Sequence, residues 1–333
     1  MSLQFYQREH LKKHTHWRWG EEKLGEVTQI VESWDALETA TAKYVILGIP
    51  EDVGVRANYG KPGAAKAWVA FLEAFCNIQN NKFTNAAQIL ILGEIDVNEE
   101  MQDAKQLEID DPFYPTKIGS LVKQIDDKVS EVIQKIVSLN KIPIVIGGGH
   151  NNAYGNLKGV STAINQPVNC VNLDAHSDFR AMEHRHSGNG FSYAFEDGFL
   201  KNYYMIGLHK NYTSQKVFDK LEEQKKHLRF SLFEDYLFTN KSNLTETFKE
   251  AQKHCTDTSF GLELDLDAIE QMGSSAMSPS GVSVSEARQY LHYFGKHKNC
   301  AYIHVCEGNP LRELFPAQVG KTISYLISDL LSS

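Results

Sequence analysis

The chain has 333 residues, 42% of them hydrophobic, enough to bury the core of one large α/β domain or two smaller ones. A net charge of −8 gives no basic footprint for nucleic acid, and no run of about 18 apolar residues marks a membrane span. Five cysteines, odd in number and without Cys-x-x-Cys spacing, argue for reduced core thiols in a cytoplasmic protein, and the polar start shows no secretory signal.

Residues 1–40 read as an N-terminal appendage, in which the stretch His10 to Trp19 is better explained by solvated histidines than by a metal or nucleic-acid segment. Apolar runs then mark strands at Tyr44 to Ile49 and Ile89 to Gly93. The Asp-, Glu- and Pro-rich stretch Asn98 to Pro115 is expected to be a mobile flap over the site. A helix over Ile118 to Leu139 precedes strands at Ile142 to Ile146, Val168 to Leu173 and Tyr203 to Ile206. Helices at Ser214 to His227, Leu244 to His254 and Ser283 to Phe294 alternate with strands at Leu228 to Leu232, Gly261 to Leu266 and Ala301 to Val305. Such alternation argues for one α/β domain over residues 41–333, a mostly parallel sheet with helices on both faces. Open sheets of this kind keep their sites at strand C-terminal ends.

Three segments place metal-competent side chains there. In Val171-Asn172-Leu173-Asp174-Ala175-His176-Ser177-Asp178 an apolar strand runs into three such groups at alternate positions. Fully extended, Asp174 and Asp178 would stand roughly 13 Å apart, too far for one ion, so the chain must bend. Ile142 to Gly149 reads as a buried strand whose glycines let the backbone crowd close before His150 is presented. Phe260 to Asp267 alternates apolar and acidic residues, placing Glu263, Asp265 and Asp267 on one face. A solvent-facing edge strand could show the same alternation. The charge of Asp174, Asp178, Asp265 and Asp267 balances two divalent cations, and His150 and His176 add neutral nitrogens. Carboxylate with imidazole and no thiolate favours manganese, with zinc, iron or cobalt as alternatives. A cation pair about 3.5 to 4 Å apart can hold a water and lower its pKa toward about 7.

Gly147-Gly148-Gly149-His150, Asp174-Ala175-His176-Ser177-Asp178 and Leu264-Asp265-Leu266-Asp267, in that order, resemble the three signatures of the ureohydrolase family, which contains arginase, agmatinase and formimidoylglutamase. The resemblance implies a three-layer α/β/α arginase-like fold, two Mn2+ per chain and a homo-oligomer. It implies His150, Asp174, Asp178 and Asp265 on one manganese, and Asp174, His176, Asp265 and Asp267 on the other. Ala301 to Pro310 looks like the family's last core strand, with Glu307 facing the amidine or guanidine of the substrate.

Within the family, the chain resembles the formimidoylglutamase branch. Arginases and agmatinases place a proton-shuttling histidine where Ser187-Gly188-Asn189-Gly190-Phe191 has Phe191; formimidoylglutamases also carry phenylalanine there, and Asp178-Phe179-Arg180 matches their Asp-x-Arg. Gly54-Val55-Arg56-Ala57-Asn58-Tyr59-Gly60 is similar to another of their stretches, whereas Asn151 stands where a glutamate is expected and Glu270-Gln271 replaces an Asp-Pro.

The expected substrate is a small linear amidine, N-formimidoyl-L-glutamate, cleaved to glutamate and formamide as in histidine degradation. Glu307 would bind the cationic amidine. Arg180 offers a planar fork to a carboxylate, with Ser187 and Asn189 adding neutral hydrogen bonds. Asp267 would carry the proton, with His186 and His209 as weaker candidates. Two alternatives stay open: a hydrolase of another guanidine compound, of arginase, agmatinase or guanidinobutyrase type, or a metal-binding scaffold without turnover. A dinucleotide loop at the triple glycine is disfavoured, because the full Gly-x-Gly-x-x-Gly spacing is missing.

Overall fold

Runs of β-branched and aliphatic residues buried at every position build the centre of one twisted sheet. The computed structural model describes residues 2–238 and 243–331. Its strands are β1 (Leu3–Phe5), β2 (Gln29–Ile30), β3 (Tyr44–Gly48), β4 (Ile89–Ile95), β5 (Ile142–Ile146), β6 (Val168–Leu173), β7 (Leu200–Leu208), β8 (Leu228–Leu232), β9 (Phe260–Asp265) and β10 (Cys300–Cys306). Across the sheet they run β1-β4-β3-β5-β10-β9-β6-β7-β8, with β2 also on β4. Only β1 pairs antiparallel, with Leu3 opposite Ile95; the other pairings are parallel. Every residue of β3, β6 and β9 is buried, as a sheet covered on both faces requires.

The coverage is a three-layer α/β/α sandwich. On one face Ile46, Ile144, Leu262 and Ile303 meet apolar residues of the helices Ala67–Phe75, Val284–Gly295 and Gln318–Leu331. On the other, Val45, Val145 and Cys170 meet the helices Tyr114–Ser138 and Asn152–Ile164. The 25-residue helix Tyr114–Ser138 turns Ile118, Val122, Ile125, Val129, Ile133 and Ile136 inward at three- and four-residue spacing, and Pro115 fits its first turn. Among the described residues no helix is long and apolar enough to cross a membrane.

One expectation changes. Asn98 to Pro115 is not an open loop over the site. Residues Asn98–Gln106 are helical, Lys128 holds Glu100 at 2.7 Å, and the Asp52 amide lies 3.4 Å from Met101 Sδ. The acidic composition looked loop-like, but burial of Glu100 and Ala104 anchors one face of the helix. Within the first forty residues, β1 and β2 pair with β4, and Leu3, Leu11, Leu24 and Leu37 are buried. Trp68 Nε1 donates to Tyr6 Oη, which in turn donates to Glu94. His16, Trp17 and Trp19 are exposed.

One buried cation ties the helical layer to the loops beyond β6. Arg185, only 1% exposed, reaches Asp126 of the helix Tyr114–Ser138 through Nε at 2.9 Å and Nη2 at 3.1 Å. It also donates to the carbonyls of Asn151 and His186 and to Asn189 Oδ1, between the rings of Tyr154 and Tyr193. Arg185→Met should therefore strand the Asp126 carboxylate and cost about 3 to 5 kcal/mol. Urea unfolding measures this, and a loss below about 1 kcal/mol would show that the pair does not hold the loop.

Candidate metal centre

The site forms where the neighbouring strands β5, β10, β9 and β6 end. After β5 the chain turns through Gly147 and Gly148 at φ +88° and +75°, a region that favours glycine. A Cβ on Gly148 would lie 2.3 Å from Asn152 Nδ2 and 2.9 Å from Glu51 Oε1. That crowding exists because the turn wraps a buried carboxylate. Glu51 accepts from the amides of Gly149 (2.9 Å), Val53 (2.6 Å) and Gly54 (3.3 Å) and from Nδ2 of Asn152 (2.7 Å) and Asn151 (3.3 Å). Asn151 is thereby explained, since it supplies a donor where an ionised glutamate would face Glu51 with a second negative charge.

The bends needed after β6 and β9 are made by the ligands themselves. Asp174 Oδ1 accepts from the His176 amide at 2.7 Å, and Asp265 Oδ1 accepts from the Asp267 amide at 2.8 Å. Each aspartate thus folds the chain two residues on, in an Asx turn. Asp178 then sits at φ +43°, a strained conformation of the kind found at functional sites. The result is convergence. His150 Nδ1 lies 2.8 Å from Asp178 Oδ2, 3.1 Å from Asp174 Oδ2 and 3.2 Å from Asp265 Oδ2. His176 Nδ1 lies 3.1 Å from Asp267 Oδ2 and 3.7 Å from Asp174 Oδ1.

Two donor groups follow, each with ligand atoms within 4.8 Å of one another: His150, Asp174, Asp178 and Asp265, and Asp174, His176 and Asp267. All six sequence-derived ligands are brought together. Asp265 falls in the first group alone, whereas Asp174 belongs to both. A nitrogen surrounded by three carboxylate oxygens, yet without hydrogen-bond geometry to any of them, suits coordination of a cation. The electrostatics agree. Burial, then the charges of Asp267 and Asp174, push the Asp265 carboxyl well above its usual range, and burial with Asp174 raises Asp178. Burial would lower the His150 imidazole, but Cys306 and the three aspartates raise it well above its usual value. Cationic charge is what this cluster lacks.

A cavity of about 470 Å³ opens over the two groups, lined by His176, Asp178, Asp265, Asp267 and Glu307, with Asn58, Arg180, Ser187, Tyr212 and Ser275 around them. Glu307, at φ +61°, accepts from the His150 amide (2.9 Å) and from Ser275 Oγ (2.7 Å). Burial, against those two donors, pushes its carboxyl up to about 7. At the rim Arg180 bonds Asn58 Oδ1 and Glu183 Oε1, and Asn58 Nδ2 donates to Ser187 Oγ.

Asn189 does not line the cavity. It is fully buried, its amide committed to the His184 carbonyl, the His186 amide and Arg185, so its place in the loop is structural. Phe191 packs edge-on against the His150 ring and stacks on Tyr203. His186 is buried against Glu183, and His209 is sandwiched between Tyr212 and Phe233; neither lines the cavity. Sequence reasoning missed Tyr212, whose ring stacks on that of His176 at 5.1 Å, and Ser275. No spacing signal pointed to either, while Asn58 was visible within the quoted Gly-rich stretch.

The chain is similar to known proteins. A formimidoylglutamase from Lysinibacillus sphaericus is 26% identical over 273 residues, covering 80% of this chain and 77% of that protein. Among solved structures, formiminoglutamase from Trypanosoma cruzi with Mn2+ matches with a TM-score of 0.73 at 19% identity, covering 94% of this chain and 98% of that one. Formimidoylglutamase from Bacillus subtilis matches with a TM-score of 0.74 at 14% identity, covering 95% and 93%. These structural likenesses establish a shared fold. Residues 42–326 match the family model described as the arginase family, and the chain belongs to that family.

Proposed function

We propose that the chain is a manganese-dependent hydrolase of linear amidines whose substrate is N-formimidoyl-L-glutamate. The observation that carries this reading is the pairing, in one cavity, of a buried carboxylate beside the donor groups with a guanidinium at the rim. His150, Asp174, Asp178 and Asp265 would hold one cation, and Asp174, His176 and Asp267 the other. Bound there, two Mn2+ supply a water of lowered pKa and polarise the group it attacks.

The chain's own residues do the rest. Glu307, fixed by the His150 amide and Ser275, binds the amidinium through charge-assisted hydrogen bonds and orients its carbon toward the donor groups. Water adds to that carbon, and the bond to the glutamate nitrogen breaks. Asp267 Oδ1, buried and without a hydrogen-bond partner among the described residues, receives the proton of the water and returns it to the leaving nitrogen. Glutamate and formamide result. Arg180, half-exposed and held at the rim by Asn58 and Glu183, can exchange Glu183 for a substrate carboxylate.

Agmatine, which has no carboxylate, leaves Arg180 without a substrate partner. The catalytic domain would be residues 41–333, with the first forty residues completing its sheet edge. A reducing cytoplasm suits five buried free thiols. A homo-oligomer, implied by family resemblance, would cover exposed apolar groups such as Leu311, Leu314 and Phe315, and light scattering in solution tests it.

The decisive assay incubates the manganese-loaded chain with formimidoylglutamate, arginine, agmatine and guanidinobutyrate and identifies the small product. Formamide from the first substrate is expected, whereas urea from any of the others would move the assignment to a guanidine hydrolase. Manganese binding with no turnover of any substrate would leave a scaffold. Arg180→Met should raise KM for formimidoylglutamate roughly 10- to 100-fold with little change in kcat, the weight of one charge-assisted contact. An unchanged KM would remove Arg180 from recognition. Asp267→Asn should lower kcat about 100- to 10,000-fold; full turnover with two manganese ions still bound excludes this proton route.

A further inference from the structure

Glu263 has no part in the proposed chemistry, yet it is a fully buried carboxylate immediately beneath the site. An ionised group in that position needs partners. In the sheet register Glu263 of β9 lies opposite Asn172 of β6 on one side and His304 of β10 on the other. This makes a polar row across an otherwise apolar core, one layer below the ligand-bearing strand ends. Tyr302 Oη donates to Glu263 Oε1 at 2.7 Å, and His304 Nδ1 lies 2.6 Å from Oε2. The other His304 nitrogen lies 3.2 Å from the carbonyl of Gly147, in the turn that presents His150.

The same Oε2 lies 3.5 Å from His150 Nε2, a buried nitrogen that makes no hydrogen bond among the described residues. His150 Nδ1 faces Asp174, Asp178 and Asp265, so Nε2 is the nitrogen left to donate. A histidine that binds a metal through one nitrogen usually gives the N–H of the other to a carboxylate or carbonyl, which fixes its tautomer and ring orientation. The Cys306 thiol is also close, within 4.8 Å of His150 and Asp265 ligand atoms, but a thiol is a weak acceptor. At the far end of the row, Asn172 Nδ2 donates to Asp174 Oδ2 at 3.0 Å and bonds Tyr203 Oη at 2.9 Å. Two ligands therefore rest on this row.

We infer that Glu263, clamped by Tyr302 and His304, is a positioning residue that accepts the Nε2 hydrogen of His150 and turns Nδ1 toward the first cation. The inference rests on the reading that the first donor group binds a metal. It also accounts for a carboxylate where the sequence pattern alone allows only a third acidic residue on the strand face.

Manganese titration of the full chain by calorimetry, with EPR of the loaded protein, tests it in wild type, Glu263→Ala and Tyr302→Phe. Glu263→Ala should bind the weaker of the two manganese ions about 10- to 100-fold less tightly than wild type and give an isolated-ion spectrum in place of a coupled pair. Tyr302→Phe, which leaves the carboxylate in place but frees it from one donor, should show a smaller loss in the same direction. It decides the matter if the alanine variant does not fold. Unchanged affinity in a folded Glu263→Ala, or in Tyr302→Phe if only that variant folds, would overturn the positioning role while leaving the metal centre intact. Absence of manganese binding in wild type would instead overturn the reading beneath it.

Discussion

Four aspartates held within a few ångströms of one another, almost out of contact with water, are the constraint around which this molecule is built. Two like charges about 4 Å apart repel by about 4 kcal/mol even at an effective dielectric constant of 20. The protein does nothing locally to relieve this with lysine or arginine. The nearest cationic side chain at the cavity, Arg180, stands at the rim with its own partners, and Arg185 is committed to Asp126. Relief falls to protons or to bound cations, and two imidazoles aimed into the cluster favour the latter.

Holding such a cluster together requires rigid support below it. The triple-glycine turn is anchored by Glu51, the two aspartate-led bends close on backbone amides, and Arg185 fastens the loop after β6 to the longest helix. Each device places a polar group in the core and satisfies it there. Asp178 and Glu307 occupy left-handed backbone conformations, strain of about 1 to 3 kcal/mol each that only such surroundings can sustain.

Much of this was legible in the sequence, for physical reasons. Central parallel strands must be apolar on both faces, so β3, β5, β6, β9 and β10 announce themselves. The ligands stand where those runs turn acidic, and the impossible span between an extended Asp174 and Asp178 already demands the bend that the His176 amide makes. The illegible parts depend on distant partners. β1 has three residues and exists because β4 offers an edge. The helix Asn98–Gln106 looked like a flap because nothing in its own sequence shows Lys128 waiting for Glu100. Asn189 sits in a motif beside the site, and only the packing of Arg185 shows where its amide is used.

The proposed chemistry requires one pocket to hold two cations. Anomalous diffraction at the manganese edge from crystals of the manganese-loaded chain locates them. Two peaks are expected, one within bonding distance of His150, Asp174, Asp178 and Asp265 and the other beside His176 and Asp267. A single peak, no peak, or manganese bound anywhere else on the chain would contradict it.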